Sequence, residues 1–103
     1  MKALSEHTGG LRWGGSFWLA HCATWPFAHL HICDDRLILT MPEGAFEFPR
    51  DKITQLSARR GFLSRGLRIQ HSVPEYPAYL LFSTFDFANL HNALAAAGFS
   101  LKT

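Results

Sequence analysis

Short runs of alternating apolar and polar residues fill most of the chain, and turn-forming residues separate them. Alternation puts every second side chain on one face of an extended strand, so each run predicts a half-buried β-strand. The first run is SFWLAHCAT (16–24). FAHLHIC (27–33) follows Pro26, with Phe27, His29, His31 and Cys33 on one parity and Ala28, Leu30 and Ile32 on the other. Asp34-Asp35 predicts a tight turn, because short Asp side chains bond nearby backbone and tolerate turn geometry. RLILTM (36–41), a turn at Pro42-Glu43-Gly44, and AFEFP (45–49) come next, with Phe46 and Phe48 inward and Glu47 outward. KITQLSARR (52–60) sets Ile53, Gln55, Ser57 and Arg59 against Thr54, Leu56 and Ala58. GFLSRG breaks the chain, and LRIQHSV (67–73), a PEYP turn and AYLLFST (78–84) complete seven predicted strands.

The period then changes. In FDFANLHNALAAAGF, Phe87, Leu90, Leu94 and Ala97 recur at steps of three, four and three, which is one face of a helix. Thr84 or Asp86 can cap its start by accepting from a free backbone N–H, and Gly98 suits the positive φ of a helix stop. Phe99 and Leu101 are placed to fold back onto the domain. Residues 1–15 show no such period. Gly9-Gly10 and Gly14-Gly15 bracket Trp13, and the stretch reads as a flexible lead-in to a single domain spanning 16–103.

Composition agrees with one packed domain. The chain has 103 residues, 48% hydrophobic and 17% charged, with nine Phe and three Trp as core material. Trp13, Phe17, Trp18 and Trp25 are expected in the core or at a barrel rim, Trp13 being free to seat against a groove or a neighbouring subunit. Two Cys do not make a disulfide framework, the polar start MKALSEHTGG lacks the apolar stretch of a signal peptide, and no run reaches the roughly 20 apolar residues of a membrane helix. A cytoplasmic protein with reduced thiols is the expectation. The net charge of +2 does not call for nucleic acid, but it is unevenly spread. Residues 1–51 balance at −2 and residues 52–103 at +4, so an anion-binding surface belongs to the second half.

Seven strands and then one amphipathic helix suit a curved antiparallel barrel or sandwich with the helix closing one open end, since a sheet must hide one face and manage its edges. The stretch ICDDRLILTMPEGAFEFPRDKITQLSARRGFLSRGLRIQH carries a resemblance through structural motifs: a strand ending in RLIL, a short hairpin, then FPRDKITQL leading into the next strand. It resembles the bacterial pleckstrin-homology-like (PH/GRAM-like) domain family over about residues 16 to 100. The resemblance implies the fold and brings no catalytic residue with it. It also makes homo-oligomers built on strand edges an expectation. The loop ATWPF contains no Lys or Arg, unlike the basic loop that binds phosphoinositides in eukaryotic relatives.

Four sets of side chains could carry chemistry. His29 and His31, with His21 or Cys22 from a neighbouring strand, are candidate metal ligands. Residues i and i+4 on a strand lie roughly 13 Å apart, so His29 and Cys33 cannot share an ion. Without zinc-type spacing, a half-exposed strand face is the simpler reading, and no metal or cofactor is expected. Asp34-Asp35 beside His31 could support acid–base chemistry, giving a small metal-dependent or acid–base enzyme through His29, His31 and Asp35 as one alternative. A turn is the commoner use of such a pair. Arg59, Arg60, Arg65 and Arg68 cluster around a turn tipped by Phe62 and Leu63, and guanidinium groups grip carboxylates and phosphates through paired donors. These six residues are the expected ligand- or partner-binding set. The expected function is a non-catalytic binding or assembly module with a protein partner or itself, and a weak anionic membrane surface is the other alternative.

Overall fold

The computed structural model describes residues 4–14, 20–60 and 65–102, with side chains 20–24, 60 and 102 outside the description. The elements are β1 Ser5–Gly14, β2 Ala20–Ile32, β3 Arg36–Met41, β4 Gly44–Pro49, a short 3-10 turn Arg50–Lys52, β5 Ile53–Arg60, β6 Arg65–His71, β7 Tyr79–Thr84, α1 Phe87–Ala96 and β8 Leu101–Lys102. They form one sheet in the order β4-β3-β2-β1-β7-β6-β5-β8. Seven strands are antiparallel and curl into a half-barrel, while β8 runs parallel to β5. The fold is mainly β with a C-terminal helix, as the alternation predicts.

The inward parity of each strand makes the core. Ala28, Leu30 and Ile32 of β2, Leu37 and Leu39 of β3, and Leu67 and Ile69 of β6 are fully buried. Helix α1 lays Phe87, Leu90 and Leu94 into the open side of the curl. Asp86 caps the helix, its carboxylate accepting from the Asn89 N–H at 3.3 Å. Gly98 ends it at φ +88°, and the Phe99 N–H then bonds the Leu94 carbonyl at 2.9 Å. Arg50 fastens this end from the 3-10 turn: its guanidinium donates to the carbonyls of Asp34, Ala97 and Gly98 and lies 3.9 Å over the Phe99 ring. The planar fork of Arg reaches several acceptors at once, which a lysine ammonium would not do in this arrangement.

The lead-in reading is corrected. Residues 5–14 are a strand at the centre of the sheet, paired with β2 on one side and β7 on the other. Its inward positions are His7, Gly9, Leu11 and Trp13, so half of its buried face is not apolar and the hydrophobic period is faint. The runs 16–24 and 27–33 also merge, as far as they are described, into one β2. A bulge replaces the expected break: Gly9 pairs with Ala28 and Leu11 with Ala23, leaving extra residues around Pro26, whose missing N–H cannot serve the ladder. A second bulge lies between Ile53 and Gln55, which turns Ile53 partly inward while Gln55 and Arg59 keep the outer parity. Trp13 is buried, with its ring edge-on to Phe46 at 6.3 Å, whereas Trp25 is 54% exposed. Phe17 and Trp18 lie outside the described residues.

The edge strand β4 is closed off. The Glu47 N–H points away from β3 and donates to the Tyr76 hydroxyl at 3.2 Å. Alternation places Pro49 on the same outward side, where it has no N–H to offer. Tyr76 also stacks edge-on against Phe46 and Phe48, so the connection from β6 to β7 covers this margin.

Candidate functional site

Strand parity sorts the arginine set. Arg59 pairs with Gly66 and Ser57 with Arg68, which puts Arg59 and Arg68 diagonally on the outer face of β5 and β6. Such diagonal neighbours stand roughly 7–8 Å apart, within reach of long side chains. Arg68 is half-buried, its guanidinium 4.7 Å over the Tyr79 ring of β7. Arg65 has the opposite parity and turns to the helix side, 5.4 Å over Phe87. The expected single cluster is therefore divided, because one residue's difference in parity reverses the face. The Arg60 side chain, Phe62 and Leu63 lie outside the described residues.

The histidine face stands as the alternation predicts, with His29 and His31 half-exposed on the outside of β2. Glu6 of β1 comes between them, a carboxylate oxygen 3.6 Å from each Nδ1. His29 also meets the Thr8 hydroxyl at 3.2 Å and His31 the Thr40 hydroxyl at 3.4 Å. Among the described residues, no group of His, Cys, Asp and Glu is arranged to hold a metal ion, and the side chains of His21 and Cys22 lie outside the description. Asp35 is not brought to these imidazoles. It binds the Arg36 guanidinium through both oxygens at 3.1 Å, and that hydrogen bonding holds its carboxyl below the usual range. Arg36 is shared with Glu47 across the hairpin.

Cys33 departs from its expected face. Strand β2 stops at Ile32, and the turn swings Cys33 inward to 1% exposure. Burial, with Asp35 nearby, pushes its thiol pKa up, which keeps it protonated and unreactive.

One buried group couples the fold to pH. His7 lies inside β1, its Nε2 3.1 Å from the Ser5 hydroxyl, and burial lowers its pKa against the opposing pull of Asp86 and Glu6. A base with a depressed folded pKa binds fewer protons folded than unfolded, so its contribution is complete above the unfolded value of about 6.5 and is lost as pH falls through the folded value. Thermal melts from about pH 7.5 to about pH 5 should show falling stability, with a shallower fall in His7→Gln. Parallel profiles for the two proteins would rule out this role for His7.

The sequence reasoning missed an aromatic patch. Trp25, Phe27 and Phe85 are 54%, 59% and 67% exposed. The Trp25 and Phe85 rings meet edge-on at 5.8 Å although 60 positions separate them in the chain. The patch forms where the β2 bulge faces the end of β7, and no local signal in the sequence joins the two segments. A shallow groove on another side is lined by Arg50, Ile53, Gln55, Leu56 and Phe99. Its Arg50 is already committed to the helix end, so it offers little free chemistry. No described helix is long and apolar enough to cross a membrane. Compared with known proteins, the chain matches no family model, no curated protein and no solved structure, so the reading of its surfaces rests on their own geometry.

Proposed function

We propose that this chain is a non-catalytic binding module of pleckstrin-homology-like architecture that joins a protein partner, most simply a second copy of itself, through Trp25 and Phe85. The strand order with a helix after β7 supports the architecture. The exposed aromatic patch carries the functional reading. Aromatic side chains contribute about 150–250 Å² each, so two that are 54% and 67% exposed leave roughly 200–300 Å² of open apolar surface. A stable interface takes about 800 Å² from each partner, so this patch suits a weak, reversible contact. Pairing through the β4 edge is disfavoured, since Pro49 and Tyr76 occupy its outward side. The acid–base alternative finds less support, because Asp35 is engaged by Arg36 and the imidazoles face Glu6.

Light scattering across a wide concentration range tests this. The average mass of the wild type should rise with concentration, and Trp25→Ser/Phe85→Ser should stay monomeric. Substituting such exposed residues should change stability by no more than about 0.5 kcal/mol each. A wild-type mass that never rises would remove self-association, and equal association by the double variant would remove the patch.

A further inference from the structure

The outer face of β5 and β6 holds two buried polar groups without hydrogen-bond partners. The Ser57 hydroxyl and the Arg68 Nε–H are buried and make no hydrogen bond, although Ser57 and Arg68 are direct register partners. Ser57 is only 5% exposed, yet it lies on the outward parity of its strand. Buried polar groups are almost always satisfied; the Ser57 oxygen could itself accept from Arg68, but one hydroxyl proton would then still lack an acceptor. The surroundings suit an anionic acceptor. Arg59 stands exposed on the same face, diagonal to Arg68, and the Leu81 side chain packs over Gly66 beside them. No described acidic residue lies on the outer parity of these two strands. The Arg68 guanidinium lies 4.7 Å over the Tyr79 ring, a contact that an incoming anion has to loosen.

We infer that Ser57, Arg59 and Arg68 form a binding site for a phosphate-type oxyanion on the outer face of the β5–β6 pair. Because the Ser57 hydroxyl is buried, the Arg68 side chain shifts from its place over Tyr79 to admit the anion. Its guanidinium and that of Arg59 then grip the anion from two sides while the Ser57 hydroxyl donates from beneath. This site is independent of the aromatic patch, so either can fail alone. The same chemistry is offered by free phosphate and by a phospholipid headgroup, and the test separates them.

Inorganic phosphate is titrated against the full chain at constant ionic strength, with chloride as the balancing salt, and amide NMR shifts of β5 and β6 are followed. Vesicles of phosphatidylcholine with and without phosphatidic acid are tested by co-sedimentation in parallel. The wild type should respond saturably to phosphate, to phosphatidic acid vesicles, or to both. Arg68→Gln should weaken the response about tenfold or more. Ser57→Ala should also weaken it while melting no lower than the wild type, because it removes a hydroxyl that has no partner. A response to free phosphate assigns a soluble ligand, and a response confined to phosphatidic acid vesicles assigns a headgroup. A wild type that responds to neither, or variants that respond as the wild type does, would overturn the site.

Discussion

Leu90→Asp is expected to abolish the folded state at room temperature. Leu90 is fully buried at the centre of the helix face that closes the half-barrel, between Phe87 and Leu94. Removing a buried leucine side chain costs about 2–5 kcal/mol through lost transfer energy and the cavity left behind. The carboxylate adds a further penalty, since no described cationic side chain is buried in that core to pair with it. The sum approaches the roughly 5–15 kcal/mol that holds a whole domain together. Leu90→Ala separates the two terms: it should remain folded and lose about 2–5 kcal/mol in urea unfolding. An unchanged melting temperature for Leu90→Asp would mean that the helix does not pack as described.

Gly9→Ala is expected to destabilise the domain by at least the upper part of the roughly 1–3 kcal/mol range seen for overpacking. A methyl group at Gly9 would lie 2.0 Å from the Ser83 carbonyl oxygen and 2.9 Å from the Phe82 ring. The first of these is backbone, so relief requires moving β7 away from β1 at the point where the two sheet halves join. The cause is close approach and not a special backbone angle, for Gly9 is not among the glycines with positive φ. The experiment also decides between two pictures of the N-terminus. A flexible lead-in would tolerate alanine without cost, whereas a central strand would not. A urea midpoint equal to the wild type would return residues 5–14 to the status of a tether.

The same position shows why this strand escaped the sequence. A strand is recognised when one parity is apolar, and β1 spends two of its four inward positions on His7 and Gly9. Gly9 is there because a neighbouring backbone comes too near for any side chain, and that nearness is a property of the assembled sheet. Cys33 is a smaller instance. Its parity matches His29 and His31, but alternation stops applying once the chain leaves the strand at Ile32. The aromatic patch is the largest. Aromatic side chains favour burial on average, and only the bulge at Pro26 and its position against the end of β7 leave Trp25 and Phe85 in the open.

Local chemistry by itself determined the strands from β3 to β7, the turn at Asp34-Asp35, the helix with its Gly98 stop and a cap at Thr84 or Asp86, and the outward face bearing His29 and His31. Each follows from spacing along a few consecutive residues, and spacing is what strand and helix periods read. Tertiary structure decided the rest: the central place of β1, the exposure of Trp25, the separation of Arg65 from Arg59 and Arg68, and the meeting of Ser57 with Arg68. These depend on which strands lie side by side and in what register. Register is set by the cooperative burial of the whole core, so no short window of sequence contains it.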